Sequence, residues 1–252
     1  MTKCLLGILL CLVLPAILPA DDFINGGFET GDFTGWTQGG GYWSTAFNPG
    51  SPTDYLPGGS RYDMTGNRSA IVGIGTDPIS GLPMVYNGQY SARINDSSPN
   101  YHVSVASQTV QNYSNPAIYF EWAAVLQASH GIGDSDYFAL KLTDDTVGDT
   151  LYAVSYDSAS TPGYFTYNGF GWFYSQWQVQ ALDVSARQGD TFTLTVLGSD
   201  CPYGGHGGYV YVDGFAPNVV PPSVPEPSGI MLLGTAAILV SAGLRKRFSR
   251  RA

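Results

Sequence analysis

Short runs of alternating apolar and polar residues fill the middle of this chain and predict β-strands. In the run Thr191–Leu197, the apolar Phe192, Leu194 and Val196 would lie on one face and the threonines between them on the other. This period of two is typical of a strand with one buried face, and the body of the chain has no helical periodicity. Such runs, bounded by Gly, Pro, Asn and Asp, are Ile118–Leu126, Tyr137–Leu142, Leu151–Tyr156, Trp177–Leu182, Thr191–Leu197 and Tyr209–Asp213. The pattern predicts one all-β domain, a β-sandwich of the jelly-roll type.

The first 20 residues have the pattern of a secretory signal peptide. Lys3 supplies a positive charge, Leu5–Leu14 forms a short apolar segment, and Ala20 ends the region ahead of two aspartates. The apolar segment is too short for a stable membrane span. We therefore expect cleavage after Ala20 and export of the body, residues 21–218.

A second apolar segment runs from about Gly229 to Leu244, between a proline-rich linker (residues 219–227) and a basic end. Its length is near the lower limit of about 17 residues for crossing a bilayer. The clustered Arg and Lys beyond it would stay on the cytoplasmic side. Residues 228–252 are therefore predicted to form one transmembrane helix and a basic tail. A GPI-type signal is rejected because such signals end in apolar residues.

The order of motif, apolar segment and basic end resembles the PEP-CTERM sorting signal of Gram-negative bacteria, with Pro225, Glu226 and Pro227 as the motif. The resemblance covers residues 224–252. It implies that a membrane-embedded exosortase is a partner of the tail. It also implies a precursor anchored in the inner membrane and a final place at the cell surface or in the extracellular matrix.

The body of the chain is strongly acidic. Residues 21–218 contain 19 Asp and Glu against 5 Lys and Arg, a net charge of −14; the signal (+1) and the tail (+4) bring the whole chain to −9. Nucleic acid and anionic lipid would repel such a body. A neutral polymer, a cation or simple solubility outside the cell fits this charge. After cleavage only Cys201 remains, so no intramolecular disulfide can form.

The two ends of the body carry related motifs. It opens with Asn25–Glu29 (Asn-Gly-Gly-Phe-Glu) and closes with Tyr209–Phe215 (Tyr-Val-Tyr-Val-Asp-Gly-Phe), and the run Trp177–Ser185 precedes a Gln-Gly-Asp turn. Together these segments resemble galactose-binding-like jelly rolls, which include many carbohydrate-binding modules. The resemblance implies that the first and last strands lie close together.

A structural calcium ion between those strands is a further implication of the resemblance. It points to Glu29 and Asp213 as carboxylate ligands, with backbone carbonyls around Gly31 completing the shell. The residue chemistry agrees in part, because calcium takes six to eight oxygen ligands with anionic ones among them. The alternative is that both acids are exposed residues at strand ends.

A glycine-rich loop, residues 199–209, contains Asp200 and His206 and enters the last predicted strand. One hypothesis is that these two side chains form a polar pair at a ligand-binding cleft. The alternative, which we prefer, is that His206 only bonds backbone carbonyls, because glycines in such a loop serve backbone geometry first. Cys201 is expected to be a packed residue at a strand end.

The segment Tyr164–Tyr174 is dense in aromatic residues and is broken by glycine. Aromatic rings stack on the C–H faces of sugars, and neighbouring amides and carboxylates bind the hydroxyls. Trp172 and Tyr174 are therefore predicted to bind a ligand, with packing in the core as the alternative.

Catalytic motifs are weak in this sequence. The three histidines lie in separate segments without the spacing of a metal site, and there is no Gly-x-Ser-x-Gly elbow. We expect a non-enzymatic surface protein that binds exopolysaccharide or another neutral glycan. The alternatives are a structural matrix protein without a specific ligand and a glycan-degrading hydrolase, which would need two facing carboxylates.

Overall fold

The computed structural model describes residues 22–44 and 49–217, and it shows a sandwich of two antiparallel β-sheets. The signal peptide, the linker with Pro225, Glu226 and Pro227, and the predicted transmembrane segment lie outside the described residues. The strands are β1 (Thr37–Tyr42), β2 (Ala70–Gly73), β3 (Tyr90–Ile94), β4 (His102–Val110), β5 (Ala117–Gln127), β6 (Tyr137–Asp144), β7 (Asp149–Asp157), β8 (Phe165–Tyr167), β9 (Trp172–Ser175), β10 (Gln178–Asp183), β11 (Phe192–Ser199) and β12 (Gly208–Ala216).

Helical structure in residues 22–44 and 49–217 is limited to three short 3₁₀ turns, Pro52–Tyr55, Met64–Gly66 and Ser185–Arg187. Within these ranges no helix has the length and apolar character needed to cross a membrane.

One sheet has five strands in the order β1-β4-β11-β6-β7. The other has seven, in the order β2-β3-β12-β5-β9-β8, with β10 pairing β5 beyond the end of β9. The long strand β5 is therefore the centre of the seven-stranded sheet. It pairs with β12 along one side and with β9 and β10 in succession along the other.

The core lies between the inner faces of the two sheets. Along β5, Phe120 and Trp122 point inward and are 0% and 1% exposed, while the residue between them lies on the outer face. Phe120 stacks on Phe215 of β12 with ring centroids 4.8 Å apart, and Trp122 contacts Phe138 of β6. Aromatic burial across both sheets supplies hydrophobic stabilisation, whereas many small exported domains depend on disulfides that constrain the unfolded chain.

All six strands predicted from the alternating runs are present, as β5, β6, β7, β10, β11 and β12. In β11 the predicted faces are also confirmed: Phe192, Leu194 and Val196 are fully buried. Six further strands were not predicted, and β4 and β1 illustrate the reasons. Nearly every residue of β4 is buried, so it does not alternate. β1 contains three consecutive glycines, because the segment that follows it lies too close for side chains.

The opening segment meets the last strand, as the motifs at the two ends predicted. The amide of Phe215 donates to the carbonyl of Gly26 (3.1 Å), and a Cβ on Gly26 would overlap the carbonyl of Phe215. The segment is not a strand, however. It is a turn in which Asn25 and Phe28 have φ of 53° and 59°. The fully buried ring of Phe28 anchors this turn by stacking on Trp36 (5.0 Å).

Candidate functional site

The loop between β2 and β3, residues 74–89, lies over the outer face of the seven-stranded sheet. Leu82 of this loop is buried in a cluster with Val125 of β5 and with Tyr209 and Tyr211 of β12. The loop closes on itself because the amide of Asp77 donates to the carbonyl of Leu82 (2.8 Å). We call residues 74–89 the covering loop.

Asp77 fixes the covering loop to β12. It is 2% exposed, and its Oδ2 accepts hydrogen bonds from the hydroxyls of Tyr209 (2.7 Å) and Tyr211 (2.6 Å). Its Oδ1 accepts from the amides of Ile79 and Ser80. Burial by itself would raise the pKa of Asp77, but the hydrogen bonds from Tyr211, Ser80 and Tyr209 outweigh burial and lower this pKa below its usual value.

Two further carboxylates, the predicted calcium ligands, hold the other end of the covering loop. Oδ2 of Asp213 accepts from the amides of Tyr86 (3.1 Å) and Asn87 (3.0 Å). Glu29 of the opening turn accepts from the amide of Gln89 through both carboxylate oxygens, each at 3.0 Å. Both acids therefore bind backbone amides, and the alternative of two exposed strand-end acids is wrong for Asp213, which is 1% exposed.

Glu29 and Asp213 line the same pocket of about 270 Å³. The predicted backbone ligand Gly31 is not among its lining residues. The other lining residues are Gly27, Asn87, Gly88, Gly214 and Ala216. The structure thus brings the two predicted acids together at one end of the seven-stranded sheet.

A third carboxylate, Glu121 of β5, lies opposite Asp213 in the register of β5 and β12. Its Oε2 is buried without a hydrogen-bond partner, and burial raises the pKa of Glu121 to about 7. Burial, and to a smaller extent the charge of Glu121, raises the pKa of Asp213 to about 8 although its amide partners lower it. In the described part of the chain neither acid forms an ion pair with a basic side chain.

This donor set fits a hard cation, because buried carboxylates without a cationic partner are stabilised by a bound ion or by protonation. Three carboxylates do not converge within ligand distance of one another among the described residues, so backbone carbonyls and water would complete the shell. Calcium at Glu29 and Asp213 stays a prediction.

Strands β8 and β9 form a hairpin within Tyr164–Tyr174, which we call the aromatic hairpin. Trp172 and Tyr174 lie on the outer face of the sheet, are half-buried, and pack against the cluster under the covering loop. Trp172 contacts the ring of Tyr209 at 6.4 Å. Each of these two predicted ligand-binding side chains therefore has one side against the protein and part of its surface in water.

The most exposed rings of the aromatic hairpin are ones that the sequence did not single out. Phe170 at the tip is 88% exposed, Tyr167 is 52% exposed and Tyr164 is 43% exposed. The sequence did not distinguish these exposed rings from buried ones, because aromatic residues occur both in cores and at surfaces.

Asn168 makes the tip of the aromatic hairpin rigid. Its Oδ1 accepts from the amides of Phe170 (2.8 Å) and Trp172 (3.2 Å), and its Nδ2 donates to the carbonyl of Ile79 (3.1 Å). The amide of Gly171 also donates to the hydroxyl of Tyr167 (3.1 Å). The tip is thus tied both to itself and to the covering loop.

Asp200 is not a surface residue, which corrects its assignment to a ligand-binding cleft with His206. It is 0% exposed, and its carboxylate accepts from Asn95 Nδ2 (2.9 Å) and from the amides of Asn100 and His102. It also lies 3.0 Å from Nδ1 of His102. Because a buried carboxylate must satisfy its lone pairs internally, Asp200 orders the loop before β4.

The partner of Asp200 is a histidine in a defined tautomer. Nε2 of His102 lies 3.0 Å from the guanidinium of Arg68, which can only donate, so Nε2 accepts and Nδ1 carries the proton. Burial raises the pKa of Asp200, against the hydrogen bonds from Asn100, His102 and Asn95. His206 instead contacts Cys201, with Nδ1 3.6 Å from the sulfur.

No protein-family model and no curated protein match the chain. Among solved structures, the chain is similar to TmCBM61, determined in complex with beta-1,4-galactotriose, at 16% identity over 77% of this chain and 96% of the other, with a TM-score of 0.40. It is also similar to CBM28, a carbohydrate-binding module specific for non-crystalline cellulose, at 13% identity over 79% and 98%, with a TM-score of 0.38.

A third similar structure is the CBM22-1 xylan-binding domain from Paenibacillus barcinonensis, at 16% identity over 76% of this chain and 89% of the other, with a TM-score of 0.31. The sugars named here are ligands of those proteins.

Replacing Asp77 by Asn should lower the free energy of unfolding at pH 7 by about 1–3 kcal/mol. If the new amide oxygen accepts from the two tyrosine hydroxyls, its NH2 group faces the amide donors of Ile79 and Ser80. The pKa of Asp77 is lower in the folded than in the unfolded protein. The extra free energy of unfolding that its carboxylate gives the wild type is therefore fully present above the usual aspartate pKa of about 3.9, and it is lost as the pH falls through the folded-state pKa. Urea unfolding of both proteins between pH 7 and pH 2.5 measures this difference.

Asp183→Asn on β10 is the exposed comparison: hydrogen bonds from Ser185 also lower the pKa of Asp183, so this variant measures the pH-dependent loss at an exposed acid. A difference between wild type and Asp77→Asn that stays constant down to pH 2.5 would contradict the assigned role of Asp77.

Proposed function

We propose that this protein binds a neutral glycan at the aromatic hairpin and does not modify it. The carrying observation is that Phe170, Tyr167 and Tyr164 expose 88%, 52% and 43% of their surface on one hairpin. A group of exposed aromatic rings on one element is typical of an interaction surface, because rings that serve only the fold are normally buried in the core.

The chemistry of this surface suits a sugar. The rings offer apolar faces for the C–H faces of a pyranose. Tyr167 contacts Phe173 (5.1 Å) on one face of the aromatic hairpin, while half-buried Trp172 and Tyr174 lie on the other face, against the sheet. The hydrogen bonds of Asn168 hold the tip in one conformation, so little ordering entropy would be lost on binding. The net charge of −14 in residues 21–218 favours a neutral polymer over an acidic one.

Geometry also favours binding over hydrolysis. The acids with the clearest pairing, Asp213 and Glu121, are 1% and 2% exposed, so a glycosidic bond has no access to both. A glycosidase needs two carboxylates that flank its substrate.

The test is retention on a panel of insoluble neutral polysaccharides, with the same tubes assayed for released sugars. We expect retention on at least one polymer without products. Phe170→Ala and Tyr167→Ala should each weaken binding by roughly two- to tenfold, since one aromatic contact contributes about 0.5–1.5 kcal/mol.

Tyr62→Ala is the matched control, because Tyr62 is 40% exposed and lies in the segment over β1 of the other sheet. Equal retention of all three variants would remove the aromatic hairpin as the site. Failure of the wild type on every polymer would favour a structural surface protein, and released sugars would favour a hydrolase.

We also propose that the pocket at Glu29 and Asp213 holds a structural calcium ion. A bound calcium would neutralise the buried carboxylate of Asp213 and the exposed one of Glu29, and would join the opening turn, the covering loop and β12. Calcium at one hundred times its Kd, added to protein treated with EGTA, should raise Tm by about 5–10 °C.

In the calcium experiment, Asp213→Asn and Glu29→Gln should each abolish the increase, whereas Asp183→Asn should keep it. Magnesium serves as the control ion. An unchanged Tm of the wild type across the calcium titration would refute the site.

For the ends of the chain, we propose export by residues 1–20 and sorting of the tail by an exosortase, as the motif Pro225-Glu226-Pro227 indicates. The protein collected from the cell surface should then lack residues 1–20 and Arg245–Ala252 by intact-mass spectrometry. A Glu226→Ala variant should accumulate uncut in the inner membrane. Uncut wild-type protein in the inner membrane would contradict this proposal.

A further inference from the structure

Three side chains with ligand atoms for transition metals meet at the end of the seven-stranded sheet opposite Asp213. His130 comes from the loop after β5, and Cys201 and His206 come from the loop between β11 and β12. Their ligand atoms all lie within 4.8 Å of one another. In the sequence the two histidines are 76 positions apart, so no spacing motif reveals the group.

Both loops are fixed in the conformation that brings these side chains together. The amide of Cys201 donates to the carbonyl of His206 (2.9 Å), which closes the loop before β12. That loop is joined to the end of β5, since the amide of Gln127 donates to the carbonyl of Gly207 and the amide of Gly207 donates back to the Gln127 side chain. A preorganised ligand set of this kind costs little to order when an ion binds.

Gly204 gives the same loop its shape. Its φ is +71°, and a Cβ there would lie 2.5 Å from the ring of Tyr101, so only glycine fits. The expectation that glycines in this loop serve backbone geometry is consistent with Gly204. The resulting loop conformation places Cys201 and His206 side by side.

The distances suit a tetrahedral ion. With Zn–S near 2.3 Å and Zn–N near 2.0–2.1 Å, sulfur and nitrogen ligands of a tetrahedral zinc are about 3.6 Å apart. Sγ of Cys201 and Nδ1 of His206 are 3.6 Å apart. His130 lies beside them, with its ring centroid 4.9 Å from that of His206.

The ligand types select the class of ion. One thiol and two imidazoles without a carboxylate are a borderline-to-soft set, which favours zinc or copper over calcium and magnesium.

We propose that His130, Cys201 and His206 form a binding site for a zinc-class transition-metal ion, with one coordination position open to water. Cys201 is buried, His206 is partly buried and His130 is exposed, so the site faces solvent on the His130 side. The ion would join the two loops next to the aromatic hairpin, whose Gly171 carbonyl accepts from the amide of Ala128 (2.7 Å).

The test uses purified protein without a polyhistidine tag, stripped of metal and titrated with Zn²⁺ and with Co²⁺. We expect one equivalent of zinc to bind at this site. Cobalt should give the visible d–d absorption of a tetrahedral ion together with a thiolate-to-cobalt charge-transfer band. Cys201→Ser should lose the charge-transfer band, which reports the thiolate directly.

His130→Phe is the decisive variant, because it keeps an exposed aromatic ring beside Tyr203 and His206 but removes the ligand atom. We expect zinc to bind more than about tenfold more weakly, since even outer-shell changes at metal sites cost 10–100-fold. Stronger uptake of copper(I) than of zinc in competition would also support the site. Equal zinc affinity of wild type and His130→Phe, or a cobalt spectrum without the charge-transfer band in the wild type, would overturn it.

Discussion

The burial of carboxylates along the outer face of β12 is the constraint on which the candidate surfaces depend. Asp77 and Asp213 are 2% and 1% exposed, and each takes its hydrogen-bond donors from contacts between β12 and the covering loop. A desolvated carboxylate is costly unless every donor is in place. The covering loop therefore has one conformation that satisfies these acids, and other conformations leave a charge unpaired.

This constraint reaches the aromatic hairpin through Asn168. The carbonyl of Ile79 in the covering loop accepts from the Asn168 side chain, whose other end bonds the amides of the hairpin tip. The carboxylate of Asp77 thus fixes the covering loop to β12, and the loop positions a hairpin whose rings are exposed. Binding surfaces built in this way are more rigid than an isolated hairpin with strands of three and four residues, which is marginally stable by itself in water.

Sequence reasoning found those parts of the fold that depend on local periodicity. The alternation of Phe192, Leu194 and Val196 specifies a strand and its buried face, because one face of β11 packs on the core. It missed β1 and β4, where close packing on both faces replaces alternation with glycines and small residues. The doubly buried strand β5 was found because its residues form a nearly continuous apolar run, whereas glycines and small polar residues in β1 and β4 give a weaker local signal.

The candidate sites likewise include residues that the sequence could bring together and residues that it could not. Glu29 and Asp213 were paired through the resemblance to galactose-binding-like jelly rolls, and they line one pocket because the two ends of the body are adjacent. Asp200 was paired with the wrong histidine, since His206 is six residues away in the chain whereas its partner His102 is 98 residues away. Contacts of high sequence separation are set by strand order, and strand order is not encoded in any single segment.

The two proposed ion sites lie at opposite ends of β12 and differ in the chemistry of their ligands. At one end oxygen atoms of Asp213 and Glu29 favour a hard cation, while beyond the other end Cys201, His130 and His206 favour a soft one. Seven residues separate His206 from Asp213, a distance of about 23 Å along an extended strand. At that separation, with salt screening over about 8–10 Å, occupation of one end has little electrostatic effect on the other.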